Sequence, residues 1–318
     1  MSLVCFGEVL IDFLSDGKTP ESFTKYAGGA PANVAVAASN LGVKSAFCGM
    51  VGDDMFGRFL LDELERFGVD TQYCKITKDA KTALAFVSLD PQGERSFSFY
   101  RPPAADLLFN SSDFESRMFK EADILHVCSN SLTEQRIYKT TIHALTQAKE
   151  HGAVVSFDLN LRENLWVSTR YLTERIWHVI TLSDILKLSK EELEYLNEKS
   201  HINLGTEHTI SQLLSKGVKL LIITDGVNPV RFYTSKGLSG EVLTPKVTAI
   251  DTTAAGDAFV GGMLTYLDKQ LSLTDIGFVA NNISEINKML EFAVRCGAFA
   301  VTKKGAFSAL PTQQDIST

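Results

Sequence analysis

Residues 28–50 read GGAPANVAVAASNLGVKSAFCGM. Pro31 suits the first turn of a helix, where its missing N–H costs nothing. Val34, Ala37, Ala38 and Leu41 then recur at helical spacing and stop at Gly42, after which residues 45–50 read as a strand. The Gly-Val pair at this junction returns at 68–69 and 217–218. Glycine takes the left-handed position past a helix end, and β-branched valine opens extended chain. Upstream, Leu3-Val4-Cys5-Phe6 before Gly7 reads as a strand buried on both faces; downstream, Phe56, Phe59, Leu60, Leu64 and Phe67 mark a second helix. Strand and helix alternating in this way predict an α/β fold, a parallel sheet covered on both sides.

One region breaks the rhythm. Residues 82–89 (TALAFVSL) and 95–100 (RSFSFY) are strand-like runs joined by Asp90-Pro91-Gln92-Gly93-Glu94, and Pro second and Gly fourth suit a turn. No helical period runs from about 70 to 106, so this segment reads as a small antiparallel sheet beside the main one. The alternation resumes with strands near 123–127, 153–158, 184–188 and 219–224, and with late helices near 256–268 and 284–298. Without repeat, linker or low-complexity tract, the expectation is one domain over 1–318 with a lid.

The 318 residues are 45% hydrophobic and 22% charged, which excludes disorder, collagen and coiled coil. With 31 basic against 38 acidic residues the net charge is -7, against nucleic-acid binding but compatible with an anionic ligand held locally. Cys5, Cys48, Cys74, Cys128 and Cys296 are odd in number with no C-x-x-C pair, so neither zinc nor a disulfide framework is indicated. No run of 18 apolar residues occurs, and residues 1–10 read as a strand containing Glu8 rather than a signal peptide. The expected location is a reduced cytoplasm, away from membranes.

Four stretches carry candidate chemistry. In Ala27-Gly28-Gly29-Ala30-Pro31-Ala32-Asn33 the glycines let backbone approach a ligand, and Asn33 would face it from the first helical turn; a plain strand-to-helix turn explains the same residues. In Asp251-Thr252-Thr253-Ala254-Ala255-Gly256-Asp257, small residues precede a helix whose unpaired N–H groups would suit a phosphoryl group. Asp257 there could take a proton from an attacking hydroxyl, or serve only as a first-turn acid favoured by the helix dipole. Asp158-Leu159-Asn160-Leu161-Arg162 follows a strand, where open parallel sheets bind ligands, and Arg162 could hold phosphate or make a surface ion pair. Lys187-Leu188-Ser189-Lys190-Glu191-Glu192 also follows a strand, although Ser189 with Glu192 resembles a capping box. Gly17-Lys18-Thr19 imitates the end of a Walker A loop, but Asp12 stands where its first glycine belongs, and no G-x-G-x-x-G occurs. His126, His143, His151, His178, His201 and His208 show no metal spacing and read as structural.

GGAPAN (28–33) early and DTTAAGD (251–257) late, with the hairpin between them and VTKKGAFSALP (301–311) at the end, resemble the ribokinase-like carbohydrate kinases over essentially the whole chain. GEVLID (7–12), GGAPANVA (28–35), DLNLRENLW (158–166) and KLSKEE (187–192) look most like fructokinases; aminoimidazole riboside kinases share much of the pattern. The resemblance implies a three-layer sandwich with a mostly parallel central sheet and an antiparallel β lid from segments about 12–27 and 70–106. It implies a phosphotransferase moving the ATP γ-phosphate to a sugar hydroxyl, O6 of D-fructose first, with a riboside or another sugar as alternative. A binding protein without turnover is the rival from another class, and retention of Asp257 in its loop argues against it.

By the same resemblance, Asp257 is the base and the Ala254, Ala255 and Gly256 turn forms the anion hole. Asp12, Gly28, Gly29 and Asn33 hold sugar hydroxyls, with Arg101 and Arg162 as further contacts. Asn160, Lys187, Ser189, Glu192, Thr224, Asp225 and Gly226 line the nucleotide side, and Glu192 acts on Mg²⁺ through water. Asp251, Thr253, Ala300, Lys303 and Gly305 match a monovalent-cation loop, expected to take K⁺. The implied assembly is a homodimer through the lid. Four residues depart from the family pattern: Ala254 for a frequent Gly, Pro229 for a loop glycine, Val294 for an Asn near adenine and Ala309 for a Ser.

Overall fold

The computed structural model describes residues 2–17, 21–89, 95–101, 103–199 and 203–316. Lys18, Thr19, the 90–94 turn and His201 lie outside them. The chain begins with β1 (Leu3–Phe6), leaves the main sheet for β2 (Leu10–Ser15) and β3 (Phe23–Gly28), and returns through α1 (Ala30–Asn40) to β4 (Ser45–Gly52). Then come α2 (Met55–Arg66), β5 (Asp70–Thr77), β6 (Leu84–Leu89), β7 (Arg95–Tyr100) and α3 (Ser116–Glu121). The central alternation runs β8 (Ile124–Cys128), α4 (Gln135–Glu150), β9 (Val154–Asp158), α5 (Leu172–Leu182), β10 (Ile185–Ser189), α6 (Lys190–Glu198), α7 (Thr206–Ser215) and β11 (Leu220–Thr224). A hairpin, β12 (Val230–Thr234) and β13 (Ser239–Val242), precedes α8 (Ala255–Leu271), α9 (Ile276–Val279), α10 (Ile283–Ala300) and α11 (Gln313–Ile316).

The main sheet has the order β13-β12-β11-β10-β9-β8-β1-β4-β5. Pairing is parallel from β5 through β11, and the β12–β13 hairpin adds two antiparallel strands at one edge. Alternate residues of β1 feed opposite cores: Leu3 and Cys5 pack with α1, α2, α8 and α10, whereas Val4 and Phe6 pack with α3 to α7. The continuous apolar run is therefore the signature of a strand covered on both faces. Gly42, Gly68 and Gly217 have φ of 91°, 75° and 109°, the left-handed geometry that the Gly-Val punctuation predicts. No helix among the described residues is long and apolar enough to cross a membrane.

A separate four-stranded sheet has the order β3-β2-β6-β7. It consists of two antiparallel hairpins, β2–β3 and β6–β7, joined by parallel pairing of β2 with β6. The expected lid boundaries need correction. Residues 70–77 do not belong to this sheet but run parallel to β4 in the main one, with Tyr73 buried in its core. The Gly68-Val69 pair carried that information: strand, helix and Gly-Val stop predict a crossover back into the same sheet. The first hairpin also starts earlier than expected, at Leu10. The β12–β13 hairpin was not anticipated.

Candidate active site

The main sheet's strand order reverses at β1, which lies between β4 and β8. Ligands bind beyond carboxyl ends at such a switch point. Here the ends of β1, β8, β9 and β10, the first turns of α1 and α8, and one face of the small sheet enclose a cavity of about 560 Å³.

Of the sugar-binding candidates, Asp12, Gly29, Asn33, Arg162 and Asp257 line the cavity, whereas Gly28 and Arg101 do not. Asp12 reaches the cavity from β2, opposite Tyr26 of β3. A side chain at Gly28 would overlap the Asp12 carboxylate, and a Cβ at Gly29, where φ is 108°, would stand 2.6 Å from Glu8 O. Both glycines are thus required by close approach. Burial, with Asp257 and Asp251 adding repulsion, pushes the Asp12 carboxyl up to about 7.

Asn33 and Asp257 are 224 residues apart in sequence, yet Asn33 Nδ2 donates to Asp257 Oδ2 at 2.7 Å. Helix α8 approaches α1 closely enough for this because Gly261 faces Ala37, where a methyl group would overlap the Ala37 Cβ. Asp257 is 8% exposed. Burial raises its carboxyl above the usual range, opposed by the Asn33 hydrogen bond and the charges of Lys187 and Arg162.

The turn before α8 shapes the anion hole. Ala254 adopts φ 58°, ψ 9°, a left-handed conformation that explains why glycine is frequent there. The first well-formed helical hydrogen bond runs from Ala258 N–H to Ala254 O at 2.8 Å. The N–H groups of Ala255, Gly256 and Asp257 therefore precede the intrahelical ladder, as the geometry of a helix start requires. Ala254, Ala255 and Gly256 line the cavity, and a Cβ on Gly256 would sit 3.4 Å from Lys187 Nζ.

Lys187 Nζ contacts Asp158 Oδ1 and Oδ2 at 3.0 and 3.1 Å in a buried pair. Burial opposes its charge, but Asp158, Glu192 and Asp257 together hold the ammonium protonated. Ser189 caps α6, and the capping box forms: Ser189 N–H donates to Glu192 Oε2, and Glu192 N–H donates to Ser189 Oγ. Glu192 Oε1 accepts from Leu161 N–H at 2.7 Å, so this carboxylate also fixes the loop carrying Asn160 and Arg162. Asn160, at φ 35°, and Arg162 both line the cavity.

Not every expected residue does so. Arg101 is 1% exposed and outside the lining; its Nε and Nη2 donate to Asp106 Oδ2 at 2.9 and 2.6 Å. The arginine expected to touch sugar instead anchors the foot of β7. Thr224 pairs in register with Ser189, but Thr224, Asp225 and Gly226 lie outside the cavity lining, and Asp225 faces Lys190 at 3.7 Å. Val294 is core. The cation-loop candidates converge through Asp251, whose Oδ1 accepts from Thr253 N–H at 2.8 Å and Oδ2 from Gly305 N–H at 3.1 Å. Lys303 N–H donates to Ala300 O, and its ammonium lies over the Phe299 ring, 5.5 Å from the centroid.

Sequence reasoning missed Glu8, Asn130 and Phe99 as cavity residues. Glu8 and Asn130 each lie two residues past a strand end, the rule already applied to Asn160. Phe99 needed the small sheet's register. Of the described histidines, His126 is buried, and burial with the Lys187 charge pushes its imidazole down to about 3. No group of three potential ligating residues occurs among the described residues.

Residues 1–313 match the pfkB family of carbohydrate kinases. The chain is 42% identical over 315 residues to probable fructokinase-2 of Arabidopsis thaliana, covering 98% of this chain and 93% of that protein. The structure resembles that of Xylella fastidiosa fructokinase with bound ATP (TM-score 0.94, 45% identity, 99% and 97% of the two chains). It also resembles a Vibrio cholerae O395 fructokinase double mutant with fructose, ADP and potassium ion bound (TM-score 0.88, 36% identity, 99% and 97% coverage). A buried carboxylate under a helix start, cations across from it and a match of this extent lead to one conclusion: the chain belongs to the pfkB family and is a carbohydrate kinase, transferring phosphate to a sugar hydroxyl.

Proposed function

We propose that this kinase transfers the γ-phosphoryl group of ATP to O6 of D-fructose. The observation that carries the reading is the Asn33–Asp257 contact, which fixes a carboxylate beside the first turn of α8. One Asp257 oxygen is held by Asn33 while the other accepts the proton of the attacking hydroxyl. As the new O–P bond forms and ADP leaves, the first-turn N–H groups of Ala255 and Gly256 receive charge from the phosphoryl oxygens. Lys187 and Arg162 offset the remaining phosphate charge, and the proton on Asp257 returns to solvent. Asp12, Gly28, Gly29 and Asn33 position the sugar; Asn160, Ser189 and the Thr224-Asp225-Gly226 turn serve the nucleotide.

Mg²⁺ bound with ATP would neutralise phosphate charge. Both Glu192 oxygens already accept backbone N–H groups, so this carboxylate fits a contact through water rather than direct ligation. Asp251, Thr253, Ala300, Lys303 and Gly305 supply oxygen donors on loops tied together by Asp251, which suits K⁺. We read residues 1–318 as one kinase unit in the cytoplasm, with the four-stranded sheet as lid. Its aromatic cluster of Phe13, Phe23, Phe86 and Tyr100, with Tyr100 66% exposed, supports pairing of two copies through that sheet.

The test is an ADP-release assay across fructose, ribose, adenosine, aminoimidazole riboside and 2-keto-3-deoxygluconate. Fructose should give the highest kcat/KM. A riboside exceeding it by more than about tenfold, or about 1.4 kcal/mol in transition-state binding, overturns the assignment.

A further inference from the structure

Asp158 ends β9, and Lys187 lies beside it in β10 as its register partner, so the two side chains leave the same face of the sheet. Ile185, two residues before Lys187, and Ile222, its partner on β11, belong on that face to the core packed against α1, α8 and α10. An ion pair thus interrupts an apolar row. Only 9% of the Lys187 side chain and 3% of the Asp158 side chain are exposed, and both residues line the cavity. A buried ion pair is generally no better for stability than apolar residues of the same volume. This one therefore calls for a chemical reason.

An ammonium has three N–H bonds and accepts nothing. Lys187 Nζ lies 3.0 and 3.1 Å from the two Asp158 oxygens, so both oxygens accept, which requires the ionised carboxylate. Burial raises the Asp158 carboxyl, and the Lys187 charge is the main influence against it. Two N–H bonds are thereby committed, and Nζ has no third partner among the described residues. The ammonium stands at the first turn of α8, 3.4 Å from where a Gly256 Cβ would be. Two other acids, Glu192 and Asp257, also attract it. Both Glu192 oxygens are occupied by the N–H groups of Leu161 and Ser189, whereas Asn33 holds only one oxygen of Asp257. A lysine released from Asp158 would turn to the other Asp257 oxygen, the one required for the hydroxyl proton. We propose that Asp158 is a positioning residue for phosphoryl transfer: it keeps the Lys187 ammonium at the anion hole, one N–H toward the transferred group, and off the Asp257 carboxylate. The inference rests on the sugar-kinase reading above and deepens it, since it explains how a cation and a free base coexist in one small site.

The experiment measures steady-state ADP release and thermal midpoint for wild type, Asp158→Asn, Lys187→Met and the double variant. Asparagine keeps the shape and one acceptor but not the charge. The Asp158→Asn kcat should fall about 10- to 100-fold, the range for a hydrogen bond to a charged group, while the fructose KM stays within about threefold. In the Lys187→Met background the same substitution should change kcat less than about threefold, because Asp158 has nothing left to hold. A purely structural pair would instead lower the midpoint and leave kcat per folded enzyme unchanged. Should Asp158→Asn not fold, Asp158→Glu takes its place: it keeps the charge but moves the carboxylate by a methylene, and the same fall in kcat is expected. A folded variant at position 158 that keeps more than about a tenth of the wild-type kcat overturns the proposal. So does a comparable fall with and without Lys187, which would mean that Asp158 acts on its own. Absence of turnover by the wild type with every sugar would instead overturn the kinase reading.

Discussion

Asp257→Asn separates a catalytic carboxylate from a helix-start acid. The substitution keeps shape, and the new amide oxygen can still accept from Asn33, now at 2.7 Å from the carboxylate. What is lost is the capacity to take the hydroxyl proton. Removal of a general base costs about 10²–10⁴-fold, so kcat should fall by about 3–5 kcal/mol in barrier terms. Stability should move the other way. Burial raises the folded-state carboxyl, so ionisation works against folding, and the Asp257 contribution is lost as pH rises through its raised folded value. Asparagine has no such loss, and its midpoint should equal or exceed wild type above the ordinary carboxylate range. Weakening the Asn33 contact from charged to neutral gives back about 1 kcal/mol, which bounds the gain. The assay is steady-state ADP release, with a thermal midpoint on the same preparation. A variant within tenfold of wild-type kcat, but several degrees less stable, would refute the reasoning and return Asp257 to a dipole-pairing role.

Other expectations follow from individual residues. Ala254→Gly removes about 1–2 kcal/mol of left-handed strain against about 0.5–1 kcal/mol of unfolded-chain entropy, so thermal unfolding should shift upward by a degree or so; a clear downward shift contradicts the strained turn. Asp12, raised from 3.8 to about 7, stabilises the ligand-free protein below about pH 4 and loses that contribution as pH rises to about 7. A three-unit shift is about 4 kcal/mol, reduced to about 2 by water in the cavity, so denaturant melts of Asp12→Asn should show a flatter stability profile over that window. Equal profiles would mean that Asp12 is not perturbed. Turnover in K⁺ should exceed that in Na⁺ or Tris, and equal rates in all three would deny a working cation site at the Asp251 loops.

Gly-Val junctions, the apolar β1 run and the helical periods made the parallel sheet readable because each is local chemistry: a left-handed turn, a strand buried twice, a face repeating every 3.6 residues. Gly28, Gly29, Asn33 and Asp257 were legible for the same reason, since small residues beside a helix start mark close backbone approach. Contacts between distant segments were not. Residues 70–77 looked like lid strand because a strand's partner is not written in its own sequence, and only parallel register with β4 places it in the main sheet. Arg101 looked like a sugar contact because its sequence does not reveal Asp106 locking it inside. Ser189 and Glu192 gave their capping box in advance, but the Glu192 bond to Leu161 N–H, 31 residues back, required the fold. Sequence by itself determined which elements form and which groups are chemically competent, because helix, strand and turn preferences act over a few residues. Tertiary structure alone decided which groups meet and which way they face: the β1 switch point sets strand ends beside the α8 start, and burial leaves each carboxylate and amide only the partners that packing supplies.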